Sequence, residues 1–184
     1  MSNSIKYFLF VGFFYWVSFE AKSQEDSASF ADLVPFVTTP WEVVDAILEL
    51  GKVTKDDVII DLGSGDGRIP IRAAEKFGAK GIGVEIDAEL VVLAISNAEK
   101  AGVSKMVEFY QGDLFAMDFS EATVLTLYLF PDINLKLRPR ILQMKSGTRI
   151  ISHRFDMGDW KPDATQVITL PDGKEHVIYL WIVP

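Results

Sequence analysis

Asp61-Leu-Gly-Ser-Gly-Asp-Gly-Arg68 follows the apolar run Val58-Ile59-Ile60 and leads into a helix-like segment through Phe77. Strand, glycine-rich turn and helix in that order form an elbow of the kind that receives nucleotides. Glycine suits such a turn because a side chain would block close approach of a ligand to the backbone. The helix start behind it offers free N–H groups to an anionic or strongly polar group. Spacing separates two readings. A dinucleotide fingerprint needs G-x-G-x-x-G; here Gly63, Gly65 and Gly67 alternate, and Arg68 stands where the third glycine belongs. The acidic Asp61 also precedes the first glycine. A tight turn without a ligand is the plain alternative, but this many glycines and carboxylates in one short elbow are costly for a turn alone.

Outward from the elbow, strands and helices alternate. Thr39-Pro40-Trp41-Glu42 opens a helix, with Thr39 as cap, Pro40 in the first position and Glu42 completing a capping box. Val43, Val44, Ile47, Leu48 and Leu50 face inward, and the helix ends near Gly51. Val58 to Leu62 is a buried strand and Arg68 to Phe77 a helix. Gly81 to Ile86 is a second strand, after which Asp87 caps a helix with Leu90, Leu93, Ala94, Ala98 and Ala101 on one face. Val107 to Tyr110 and Thr123 to Leu129 are the third and fourth strands. Pro131-Asp132 starts a helix that Pro139 should break or kink. Thr148 to Ser152 is the fifth strand, and Gln166 to Leu170 and Val177 to Val183 flank a hairpin signal at Pro171-Asp-Gly-Lys174. The pattern implies an α/β domain over residues 34–184: a parallel sheet with an antiparallel C-terminal hairpin at one edge.

Composition narrows the partners. With 49% hydrophobic and 24% charged residues the chain is globular. A formal net charge of -8 repels polyanions over most of the surface, which argues against nucleic acid and favours a basic protein or peptide. No cysteine is present, so disulfides and thiolate metal sites are excluded, and only His153 and His176 supply imidazole, so no metal site is expected. Lys6 precedes an apolar run from Tyr7 to Phe19, followed by a polar stretch. Residues 1–23 read as a secretory signal with cleavage after Ser23, or as a short membrane anchor; 24–33 read as a linker. The domain is accordingly expected to be exported or membrane-tethered, with a cytoplasmic location as the alternative.

The acid-x-G-x-G-x-G pattern resembles motif I of the class I methyltransferases that use S-adenosylmethionine (SAM), whose seven-stranded Rossmann-like sheet also closes on an antiparallel hairpin. The combination of Val34-Pro-Phe-Val-Thr-Thr-Pro40, the Asp61–Arg68 elbow and Tyr128-Leu-Phe-Pro131 is similar to the small lysine methyltransferases related to FAM173 proteins and their archaeal counterparts. Leu129 through Ser152 also resembles the Dot1 catalytic core, although Leu127-Tyr128-Leu129 departs from the acceptor motif of that core. The resemblance implies SAM as cofactor and an amine acceptor, a protein lysine first. Small-molecule N- or O-methylation, or a SAM-binding module without transfer, are the alternatives.

SAM sets three demands. Glu85, at the end of the second strand and about 20 residues past the loop, suits the ribose hydroxyls. Asp113, in Gln111-Gly-Asp-Leu-Phe115, suits the adenine amino group, with Leu114 or Phe115 on the ring and Ile86 on its other face. Asp61, Gly63 and the Thr38-Thr39 segment face the methionine end, and Ser64, Gly65 and Gly67 complete the loop. Tyr128 and Phe130 line the acceptor side, where an aromatic wall suits a cationic product. His153 is a weaker candidate base, His176 reads as structural or solvated, and Lys136, Arg138, Arg140 and Lys145 read as a solvated helix face.

Overall fold

β1 (Val58–Leu62) is the centre of the molecule because it is buried along nearly its whole length and has a strand on either side. The computed structural model describes residues 36–184; the leader or anchor expected at 1–23 and the linker at 24–33 lie outside the described residues. Among the described residues, no helix is long and apolar enough to cross a membrane. The chain runs from α1 (Trp41–Leu50) through β1, α2 (Arg68–Phe77), β2 (Lys80–Glu85), α3 (Ala88–Lys100), β3 (Val107–Gln111), β4 (Val124–Leu127), α4 (Pro131–Ile141), β5 (Arg149–His153), β6 (Ala164–Thr169) and β7 (Glu175–Ile182).

The seven strands order as β3-β2-β1-β4-β5-β7-β6. β1 to β5 pair in parallel, and β7 runs antiparallel to both β5 and β6. The chain leaves β1 towards β3, then returns to place β4 on β1's other side. The β1–β4 boundary is thus the switch point of the sheet, where loops leave in opposite directions and open a crevice at the strands' C-terminal ends.

Alternation along the strands sorts the core into two layers. Ile60, Leu62, Leu125 and Leu127 pack with Leu137 and Ile141 of α4 and with Trp181. Ile59, Val124 and Ile151 pack on the other face, with Val43, Val44, Ile47 and Leu48 of α1. Period-two geometry puts Asp61 and Thr126 on that second face, in line with Ile59 and Val124, and the two are register partners across the β1–β4 ladder. A carboxylate therefore stands in an aliphatic layer.

Several local expectations change. Thr39 does not cap α1: Pro40 occupies the cap position without a side-chain bond, and the Thr39 hydroxyl lies instead 3.3 Å from Nδ1 of His153. On α3 the core face is Val91, Ala94 and Ala98, with Leu93 exposed; Asp87 does cap the helix, accepting from Glu89 N–H at 2.8 Å. α4 continues through Pro139. Pro139 has no N–H to give the carbonyl of Leu135, an exposed residue, while buried Leu137 and Ile141 hold the helix down on both sides. The basic residues of α4 are not merely solvated. Arg140 donates to the carbonyls of Phe115 and Met117, both at 2.6 Å, and Arg138 donates to the carbonyl of Met157 and pairs with Asp159.

Candidate active site

The loops at the C-terminal ends of β1 to β5 surround one cavity of about 560 Å³, within the ordinary range for a small-molecule site. Most of the residues singled out from the sequence line it: Thr38, Thr39, Asp61, Gly63, Ser64, Gly65, Glu85, Ile86, Asp113, Leu114, Phe115, Tyr128 and Phe130. Gly67 does not. It lies below the cavity at the N-cap of α2, where a Cβ would come within 2.6 Å of the Phe109 ring and 2.8 Å of Ala94. Its role is packing between loop, β3 and α3.

Gly63 and Gly65 form the floor. Both take positive φ, +78° and +53°, and a Cβ on Gly65 would run into the Phe36 ring. Ser64 contributes main chain only: its hydroxyl is buried against Gly83 and has no hydrogen-bond partner. Arg68 explains why no third dinucleotide glycine is present. Its guanidinium grips the Asp66 carboxylate through two bonds, 2.8 and 2.6 Å, donates to the carbonyl of Thr39 and stacks on Trp41. The elbow is thereby tied to the segment that precedes α1, and both Asp66 and Arg68 line the cavity.

The carboxylates are held differently. Asp61 is buried and accepts from Thr126 Oγ1 at 2.6 Å. Burial raises its pKa to about 7; the Thr126 bond opposes this, and the nearby Glu85 and Asp66 charges add to it. Glu85 accepts from Gly65 N–H at 2.9 Å through one oxygen and from Ile86 and Asp87 N–H at 2.8 and 3.1 Å through the other. A carboxylate has about four acceptor positions, so with three taken one is left for a hydroxyl of a diol, on a group already fixed in place. Asp113 spans a turn, accepting from Phe115 N–H at 2.8 Å, and that turn is clamped from α4 by Arg140.

On the wall expected to face the acceptor, the ring of half-buried Tyr128 lies 4.0 Å from His153 and 6.4 Å from Phe155, and Phe130 lies 5.9 Å from Phe155. Phe155 and Arg154 complete this wall. Arg154 has φ +71°, rare for a residue with a side chain, and this bend turns the chain from the end of β5 so that Phe155 reaches the cavity. Sequence reading missed Phe36, Asp66, Arg68 and Phe155. Arg68 left a signal in its place two residues after Asp66; Phe155 left none, because a strand end does not announce a left-handed turn. His176, expected to be structural or solvated, shares a hydrogen bond with His153, its Nδ1 lying 2.9 Å from Nε2 of that ring.

The profile of the ANTKMT methyltransferase domain matches residues 61–164, from the elbow to the start of β6. This chain belongs to that methyltransferase family. A protein-lysine N-methyltransferase of Saccharolobus islandicus is 42% identical over 84% of this chain and 97% of its own length. A mouse adenine nucleotide translocase lysine N-methyltransferase is 33% identical over 78% of this chain, which spans 61% of that relative. A crystal structure of an RNA methyltransferase from Salinibacter ruber, in complex with S-adenosyl-L-homocysteine, superposes with TM-score 0.75 at 54% identity, covering 80% of this chain and 94% of that one. The site of this methyltransferase fits SAM on its own terms: a bare glycine floor, a buried acid at one end for an ammonium, a fixed carboxylate for a diol, and Asp113 beside apolar Ile86, Leu114 and Phe115 for a base.

Proposed function

We propose that this chain transfers a methyl group from SAM to the side-chain amine of a protein lysine. The observation that carries the reading is the union, in one cavity, of the SAM-fitting acids with an aromatic wall of Tyr128, Phe130 and Phe155. Likeness to the Saccharolobus lysine methyltransferase over nearly all of that protein supports a protein acceptor.

SAM supplies a methyl group made electrophilic by its sulfonium. Asp61, ionised, would hold the ammonium of the methionine end; Glu85 would accept from a ribose hydroxyl; Asp113 would accept from the adenine amino group, with Ile86, Leu114 and Phe115 as apolar walls. The main chain at Gly63 and Gly65 allows close approach. Tyr128, Phe130 and Phe155 exclude water around the incoming amine and present ring faces to the cationic product. Holding an uncharged amine in line with the methyl is the principal catalytic contribution of such a site, since no bond other than C–S breaks.

Incubation with labelled SAM and a proteome extract, followed by acid hydrolysis, tests the reading. Label recovered as methyllysine is expected; binding of SAM without any transfer would reduce the chain to a cofactor-binding module. The Salinibacter relative favours a second reading, an RNA acceptor, which the net charge of -8 opposes; label in nucleosides would establish it. Glu85→Ala is expected to weaken SAM binding by about 1–3 kcal/mol, or about 5- to 150-fold, in a calorimetric titration. Unchanged affinity would remove Glu85 from the site. The apolar run from Tyr7 to Phe19 supports membrane association or export of the domain, which N-terminal sequencing of each cell fraction tests.

A further inference from the structure

Lysine reaches neutral solution as an ammonium, and it attacks a methyl group only after losing a proton. A site that excludes water around that nitrogen needs a path for the proton to leave. One runs out of the cavity through side chains to which the transfer step itself assigns no role.

Thr39, which lines the cavity, lies 3.3 Å from Nδ1 of His153 through its hydroxyl; Nε2 of His153 lies 2.9 Å from Nδ1 of His176, and His176 on β7 is only partly buried. His153 itself is 1% exposed. The three groups form an unbroken line from the cleft, across the β5 end, to the solvent side of β7. The line accommodates both neutral tautomers of His153: the ring accepts from Thr39 and donates to His176, or the reverse. Switching between those two states is what carrying a proton through an imidazole requires.

Resting on the lysine reading, we propose that Thr39, His153 and His176 form a relay that takes the proton from the acceptor ammonium to solvent. The ammonium N–H bond breaks and its proton passes to Thr39 Oγ1, while the hydroxyl proton of Thr39 passes to Nδ1 of His153. The proton on Nε2 of His153 passes to Nδ1 of His176, and that on Nε2 of His176 passes to water. The amine is left neutral, its lone pair free to displace the sulfur; each ring ends neutral in its other tautomer. The line resets in the opposite sense while the cleft is open between turnovers.

The surroundings keep His153 neutral between transfers. Burial lowers its pKa to about 4, and His176 and Arg154 oppose its protonation further. The Tyr128 ring covers its face at 4.0 Å. A ring that resists holding a charge passes protons on and does not trap one.

A structural staple between β5 and β7 is the competing role, and His176→Asn separates the two. The amide oxygen of Asn still accepts from Nε2 of His153 but carries no proton onward. Methyl transfer from tritiated SAM to a heat-treated proteome extract is measured from pH 6.5 to 10, with SAM affinity and thermal midpoint as controls. The expected result is a kcat about tenfold or more lower at pH 7, a deficit that closes towards pH 10 where the amine arrives unprotonated, and partial recovery with added imidazole. Thr39→Val should give the same pH-dependent deficit. No lysine labelling by the unaltered enzyme would overturn the lysine reading, and the relay with it. Lysine labelling with a His176→Asn profile parallel to the unaltered one would overturn the relay alone.

Discussion

Replacing Asp61 by Asn is expected to weaken SAM binding by about 100-fold or more and, above pH 7, to make the cofactor-free protein more stable. Both effects follow from one position. Asp61 lies on the strand face otherwise filled by Ile59 and Val124, and its partner within the protein is the Thr126 hydroxyl, not a cation. Its folded pKa, about 7, stands above the ordinary 3.8. The native state therefore binds more protons than the unfolded chain between about pH 4 and pH 7, so stability falls as pH rises through that window and the loss is complete above it. A displacement of about three pH units corresponds to about 4 kcal/mol. Asn keeps the bond from Thr126 and cannot ionise, but its NH2 has to find an acceptor; the expected net gain at pH 8 is about 2 kcal/mol, or about 4–8 °C in thermal midpoint.

The role proposed for Asp61 asks for the opposite charge state. An ammonium delivered into this layer finds its counter-ion only when Asp61 is ionised. SAM affinity should thus rise about tenfold per pH unit below 7 and level off above it, and in Asp61→Asn it should be lower by about 100-fold or more with that slope absent. Calorimetric titrations from pH 5.5 to 8.5 with thermal scans on the same samples measure both. A variant that loses stability at pH 8 and keeps its affinity would show that Asp61 serves the fold.

How far the sequence announced this site depends on which kind of physics placed each residue. The placement of Glu85, Asp113, Gly63 and Gly65 around the cavity was legible because strand ends and turn chemistry are local: a run of apolar residues stops, and the residues just beyond it face the crevice. The antiparallel edge was legible from Pro171-Asp-Gly-Lys174 for the same reason. Non-local pairings were not. Thr39 has the spacing of a helix cap, yet its hydroxyl goes to His153, 114 residues away. Arg140 looks like a solvated helix face, yet it reaches 23 and 25 residues back to hold the turn beneath Asp113. His153 and His176 sit on antiparallel neighbours β5 and β7, whose register no short-range pattern states. Arg154 is the extreme case, since nothing about an arginine foretells φ +71°.

Gly67→Ala is expected to be the most damaging of the glycine substitutions to stability while leaving the cofactor's contacts intact. The alternation of Gly63, Gly65 and Gly67 suggests three equivalent positions, but their surroundings differ. A Cβ on Gly65 meets Phe36, an exposed ring at the cavity's rim that can swing aside. A Cβ on Gly67 meets the Phe109 ring at 2.6 and 2.7 Å and Ala94 at 2.8 Å, side chains rooted in β3 and α3, while φ is +79°. The backbone penalty of about 1–2 kcal/mol and an overpacking cost of about 1–3 kcal/mol fall on the same atom. The sum, about 2–5 kcal/mol, lowers the thermal midpoint by about 5–15 °C. Titration of the folded variant at low temperature should return a SAM affinity within about threefold of the unaltered protein, because Gly67 lies outside the cavity lining; a threefold change is well under 1 kcal/mol. Gly65→Ala should reverse the pattern, with weaker binding and a smaller fall in midpoint. Loss of SAM affinity in Gly67→Ala at an unchanged midpoint would return this glycine to the ligand, and the division of the elbow into a floor and a hinge pin would be wrong.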